Sequence, residues 1–226
     1  VKRLLALTLS LAVAGTLTAC GSAPSDSSAP SGSPAPTQEQ NSAQPVVINY
    51  GLSNPWDSLM PYNSPSGSNY SRMIYDKIYD RLVFVHADGT LTPRAAKSWE
   101  SADDGLAVIF HLDEKAAFHD GTPVTAQHWV DSIALVTNPD CPALGRSAFA
   151  VLAGTDSTGA AVAGEKLGAE ALDDTTLKLT FKNVTTPEDF LLDKNREFYV
   201  LPTHLLEGTD PSQVMEPDLW KAPIGS

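Results

Sequence analysis

The side chains equipped for chemistry are few and scattered along the chain. His111, His119, Asp120 and His128 offer the imidazole and carboxylate groups that bind zinc or relay protons. His111 falls in an alternating, strand-like run, Phe118-His119-Asp120-Gly121 has turn composition, and His128 stands at a helix start, so no short ligand spacing unites them. They read as loop and surface residues, and His204, after Thr203 at another helix start, reads as structural. The chain has two cysteines. Asp140 beside Cys141 disfavours the thiolate that a nucleophile requires. A phosphate-cradling GxxxxGK(S/T), a dinucleotide GxGxxG, a GxSxG elbow and an HExxH pair do not occur. No catalytic residue, metal ligand or cofactor is assigned, and the expectation is a protein that is not an enzyme.

The elements that would position such residues centre on the stretch from Trp99 to Val136. Leu106, Val108, Phe110 and Leu112 alternate with Ala107, Ile109 and His111, the period of a strand with a buried face. Asp103-Asp104-Gly105 turns the chain before it, and Phe118 to Pro123 turns it after. Thr125 is placed to cap a helix whose Trp129, Val130, Ile133 and Val136 share one face, and Asn138-Pro139 ends that helix. Upstream, Val46 to Tyr50 reads as a short strand. Tyr70, Met73, Ile74, Ile78 and Leu82 form a helical stripe expected in the core, followed by a strand from Leu82 to Val85, a turn at Asp88-Gly89 and a connector from Leu91 to Ser98. Downstream, Gly145 to Gly168 reads as loops, and Asp173-Asp174-Thr175 joins two halves of a hairpin. Thr186-Pro187-Glu188-Asp189 starts a helix buried by Phe190, Leu191 and Leu192. Glu197 to Leu201 reads as a strand leading to a helix through Leu206. Hairpins and crossovers mix, so the fold class is α/β of the mixed α+β kind.

With 226 residues, 42% hydrophobic and 19% charged, the chain can bury a proper core. Fifteen Lys and Arg against 27 Asp and Glu give a net charge of −12, which excludes nucleic acid as a partner because no basic patch exists to displace counterions. The acidity reads as a solubility feature, with attraction of cationic ligands as the alternative.

Lys2 and Arg3 precede an apolar run from Leu4 to Leu17, shorter than the ~20 residues a bilayer span needs, which reads as a secretory signal over residues 1–19. Leu17-Thr18-Ala19-Cys20 resembles a bacterial lipobox, which implies lipidation of Cys20 and anchoring to the outer face of the cell membrane. One acyl chain holds a membrane only marginally, and the likeness to lipoproteins implies more than one. From Gly21 to Pro45 the chain is Ser, Pro, Ala and Gly without apolar periodicity, so residues 20–45 read as a tether reaching on the order of 25–30 Å. With Cys20 lipidated, Cys141 is expected either to be buried or to pair with a thiol beyond Ser226.

The ordered string of Ser98-Trp99-Glu100, Asp104-Gly105, the alternating strand, Phe118-His119-Asp120-Gly121 and Thr125-Ala126 before a helix resembles one family. It is similar to the large solute-binding proteins of ABC importers for oligopeptides, dipeptides and nickel complexes. Gln127-His128 stands where that family carries an acidic residue in the first helical turn, so a weaker cap is expected; Trp56 to Pro61 resembles the family's leader into the first cleft loop, with Met60 in place of an acidic residue. The resemblance implies one lobe of a two-lobed, type II periplasmic-binding-protein-like fold over residues 46–226. Residues 46–91 would begin the first lobe, 92–222 form an inserted subdomain and 223–226 begin the return, where Trp220 to Ser226 resembles the start of a PxGTGPY-type element. On that basis the chain is expected to be an N-terminal fragment.

The implied ligand is a peptide or similar solute, delivered to the transmembrane permease subunits by a monomer. The implied contacts are Asn63, Ser64, Ser66, Gly67, Ser68 and Tyr70 in the loop after the first strand, and Arg196, whose guanidinium suits a ligand carboxylate. The main anchors for peptide ends fall in the other lobe, so this chain alone is expected to bind weakly. A non-transport adhesion or signalling lipoprotein on the same fold and a hydrolase are the alternatives from other classes.

Overall fold

The protein is described by a computed structural model covering residues 49–226 except 50, 57, 64–68 and 216–217. The signal, Cys20, the tether and all of the strand expected at Val46–Tyr50 except Asn49 lie outside the described residues. No helix among the described residues is long and apolar enough to cross a membrane.

Four antiparallel strands form the main sheet: β3 (Ala96–Ala102), β4 (Ala107–Leu112), β5 (Ala169–Asp173) and β6 (Thr176–Thr180), in the order β3-β4-β6-β5. The expected alternation holds in β4, where Val108, Phe110 and Leu112 are buried, and opposite them Leu179 pairs with Val108 and Leu177 with Phe110. Leu106 departs from it, remaining 39% exposed because it closes the preceding turn rather than entering the strand. In that turn Asp103, Asp104 and Gly105 all have positive φ, and the Leu106 N–H donates to the Asp103 carbonyl at 3.0 Å. Ala96–Ala102, half of it read as connector from sequence, becomes the sheet's edge. Its side chains alternate poorly, so its place comes from pairing with β4 rather than from its own pattern.

Helix α2 (Ala126–Thr137) lies on this sheet and buries Trp129, Ile133 and Val136. Its capping box is complete despite the missing acid. The Thr125 N–H donates to His128 Nδ1 at 3.2 Å, so an imidazole nitrogen does what a glutamate does elsewhere. Helix α3 (Pro187–Asp193) begins as read, with Thr186 Oγ1 accepting from the Asp189 N–H at 3.1 Å. Phe190 and Leu191 are buried, but Leu192 is 45% exposed, on the opposite side of so short a helix.

The remaining part is less regular. Helix α1 (Asn69–Tyr75) is half the expected length; of the predicted stripe Leu82 is buried as expected, but the other buried positions, Ser71 and Tyr75 in the helix and Tyr79 after it, fall one residue beyond Tyr70, Ile74 and Ile78. Met73 is 39% exposed. Strands β1 (Val83–Val85) and β2 (Leu91–Pro93) make a two-stranded hairpin closed by Gly89 at φ +84°. The strand expected at Glu197–Leu201 is instead a 3-10 turn (Asn195–Glu197) followed by extended chain, and the helix expected after it is a 3-10 turn at Thr203–Leu205. No strand of the described residues pairs with 198–201; the Tyr199 N–H donates to Tyr62 Oη at 2.8 Å and the Leu201 N–H to Ser132 Oγ at 2.9 Å, and between them the Val200 N–H donates to the Asp80 carbonyl at 3.4 Å. Cys141 is buried and free. Its thiol is pushed up by burial, which fits the buried alternative.

A candidate ligand cleft

The least regular part carries an open cleft of about 410 Å³. Helix α1 contributes Arg72 and, just beyond its end, Asp76; β1 and the turn after it contribute Phe84, Val85, His86 and Ala87; α3 contributes Leu192; and the 3-10 turn contributes Arg196. Arg81 completes the wall.

Its charges are held from beneath. Tyr199, buried, donates its hydroxyl to Asp76 Oδ1 at 2.7 Å, and Arg81 pairs with the same carboxylate while its guanidinium sits 5.0 Å over the Tyr199 ring. Burial pushes the Tyr199 phenol well above its ordinary range, so it stays a donor. Behind it the Tyr62 hydroxyl accepts from the Tyr199 N–H and donates to the Tyr199 carbonyl at 3.2 Å. Asn195, fully buried, donates through Nδ2 to the Val83 carbonyl at 2.6 Å and fastens the Arg196 turn to the hairpin. Arg72 pairs with Glu197 at 3.0 Å.

Of the sequence-predicted contacts, Arg196 lines this cleft and is exposed. Asn63 does not line it; its Nδ2 donates to the Met215 carbonyl at 3.3 Å. Nor does Tyr70, whose hydroxyl accepts from Ser53 Oγ at 3.1 Å, a bond that lowers the phenol's pKa from its ordinary value. Ser64, Ser66, Gly67 and Ser68 lie outside the described residues. Sequence reasoning missed Arg72, Asp76, Arg81 and Phe84. The available signal was two arginines flanking an aspartate in one helical segment of an acid-rich chain, but the stripe reading assigned that segment to core.

A second, smaller hollow of about 260 Å³ lies between α2 and the 203–207 segment, lined by residues that include Thr125, His128, Asp131, His204 and Glu207. The fold brings together residues that sequence spacing left apart. His204 Nε2 meets Asp120 Oδ2 at 2.8 Å, and the His128 ring stands edge-on to His204 at 5.5 Å. The hydrogen bond from His204 holds the Asp120 carboxyl down to about 2, and burial, then the charge of His204, lowers His128. His119 belongs to the same turn, its N–H donating to the Gly225 carbonyl at 2.9 Å. His111 stays apart on β4, with Glu100 Oε1 at 3.4 Å. Among the described residues no three His, Cys, Asp or Glu are grouped to hold a metal ion.

Comparison with known proteins agrees with this architecture. Residues 90–226 match the model of the bacterial extracellular solute-binding proteins, family 5 Middle. The periplasmic oligopeptide-binding protein OppA of Salmonella typhimurium is 31% identical over 164 residues, 69% of this chain and 27% of OppA. The probable deoxycholate-binding periplasmic protein YgiS of Escherichia coli is 30% identical over 118 residues, 50% of this chain and 22% of YgiS. Among solved structures, the ABC transporter substrate-binding protein CtaP of Listeria monocytogenes superposes with a TM-score of 0.60 at 26% identity, over 77% of this chain and 32% of CtaP. The chain thus spans about a quarter of the length of the curated relatives it matches.

Proposed function

Since the chain belongs to the bacterial extracellular solute-binding proteins of family 5, we propose that it is part of the substrate-binding lipoprotein of an ABC importer. It captures a peptide or a similarly sized solute outside the membrane and hands it to the permease. Cys20 carries the lipid anchor, residues 20–45 are the tether, and 46–226 are the first lobe with its inserted subdomain. The observation that carries this reading is the 410 Å³ cleft, whose wall offers guanidinium donors and exposed apolar side chains but no nucleophile beside a base. Such a wall grasps and does not convert. The oligopeptide-binding OppA over 69% of the chain supports a peptide ligand, and the deoxycholate named for YgiS supports a second reading, an amphipathic anion.

A ligand favours the closed form only through contacts that both lobes make at once. The full-length protein is therefore expected to bind short peptides in calorimetric titration, whereas the 226-residue chain alone binds at least tenfold more weakly. Equal micromolar affinity of the two would rule out capture by lobe closure. Metabolic labelling with a fatty acid, lost in Cys20→Ala, tests the anchor.

A further inference from the structure

The cleft is cationic in a protein that is otherwise strongly acidic. Three arginines and one aspartate line it, whereas the whole chain carries 15 Lys and Arg against 27 Asp and Glu. The single lining carboxylate is already committed, since Asp76 accepts from Tyr199 and pairs with Arg81. Arg72 gives one contact to Glu197 and keeps 27% of its side chain exposed, leaving further N–H groups of its fork turned to solvent. Arg196 has no hydrogen bond or ion pair among the described residues. Beside these groups Phe84 and Leu192 are 43% and 45% exposed, an uncovered apolar flank within the same cleft.

We infer that the cleft selects ligands bearing a carboxylate next to an apolar group, with Arg196 and Arg72 taking the carboxylate and Phe84 and Leu192 the apolar group. This rests on the receptor reading above and narrows its ligand class. A guanidinium fork matches a carboxylate in two hydrogen bonds, and a neutral amide at the same place leaves donors unmatched. The carboxylate has two sources in a peptide, an acidic side chain or the C-terminus.

The test uses full-length protein and four probes: Leu-Glu-Leu-Ala, Leu-Gln-Leu-Ala, Leu-Lys-Leu-Ala, and Leu-Gln-Leu-Ala with its C-terminus amidated. Selection of an acidic side chain makes the Glu peptide bind roughly tenfold to a hundredfold tighter than the Gln peptide, with Lys weakest. Selection of the C-terminus instead produces that loss on amidation. In either case Arg196→Gln, at a side chain with no hydrogen bond or ion pair among the described residues, should erase most of the difference, Arg72→Gln part of it, and Lys166→Gln, outside the cleft lining, none. Tight binding that ignores both charge and Arg196 overturns this inference and leaves the receptor intact. Failure of all four probes, and of deoxycholate titrated alongside them, overturns the receptor reading and this inference with it.

Discussion

The sheet with α2 and the cleft wall are stabilised in different ways. In the sheet, backbone groups are matched by neighbouring strands, and the buried face is a continuous patch of Val108, Phe110, Leu177 and Leu179. In the cleft wall, turns and extended chain are held by single side chains reaching far along the sequence, such as Tyr62 to Tyr199, 137 residues away, and Asn195 to Val83, 112 away. The difference separates rigidity made by many equivalent bonds from rigidity made by a few irreplaceable ones. It also frees the wall's outward side chains for ligand, because its backbone is fastened from within.

That contrast can be broken most forcibly at Phe110. Phe110→Ala removes a fully buried ring packed against Phe190 at 6.1 Å and should cost about 3–5 kcal/mol in denaturant unfolding. All probes should lose stability together, the cleft included. Tyr62→Phe tests the opposite arrangement. It leaves the Tyr199 N–H buried without an acceptor, at a cost of about 1–3 kcal/mol. Hydrogen exchange should accelerate at residues 195–200 and stay slow in β4 and β6; uniform acceleration would show the two regions to be one cooperative unit.

Gly225→Ala probes where the chain returns to the cleft side. A Cβ there would run into the Ile78 carbonyl, so the last residues must lift away, with a loss of roughly 1–3 kcal/mol and of the Asp80 N–H bond to Ser226 Oγ, 2.8 Å long. The smallest effect concerns Asp120. Its folded pKa is depressed, so its stabilisation is present above the unfolded carboxylate range near ~4 and is lost as pH falls through about 2. Unfolding midpoints followed from pH 5 down should show Asp120→Asn converging on the parent across that window, because the amide has no charge to lose.

How far the sequence could be read follows the same division. Period-2 alternation found β4 and the β5–β6 hairpin, and cap chemistry found the starts of α2 and α3, because those signals lie within a few residues of what they specify. The Tyr70–Leu82 stripe misled because a mixture of helix and turns buries Ser71 and Tyr75, so a small hydroxyl side chain, not Met73, faces inward. Glu197–Leu201 looked like a strand because it is apolar and extended, yet its partners are the Tyr62 and Ser132 side chains and the Asp80 carbonyl, which no local pattern reveals. His128 as a capping residue was hidden for a simpler reason. Imidazole is an uncommon acceptor in that position, and only the fold shows its Nδ1 facing the Thr125 N–H.

The turn at 118–122 grips two places far downstream, His204 through Asp120, 84 residues on, and Gly225 through His119, 106 residues on. A growing polypeptide therefore exposes this turn long before anything exists to fasten it. At ~5–20 residues per second the wait is on the order of 4 to 20 s. For that interval α2 has its cap, but the turn beside it lacks both of its downstream fastenings, so its final geometry is set only once the last residues arrive.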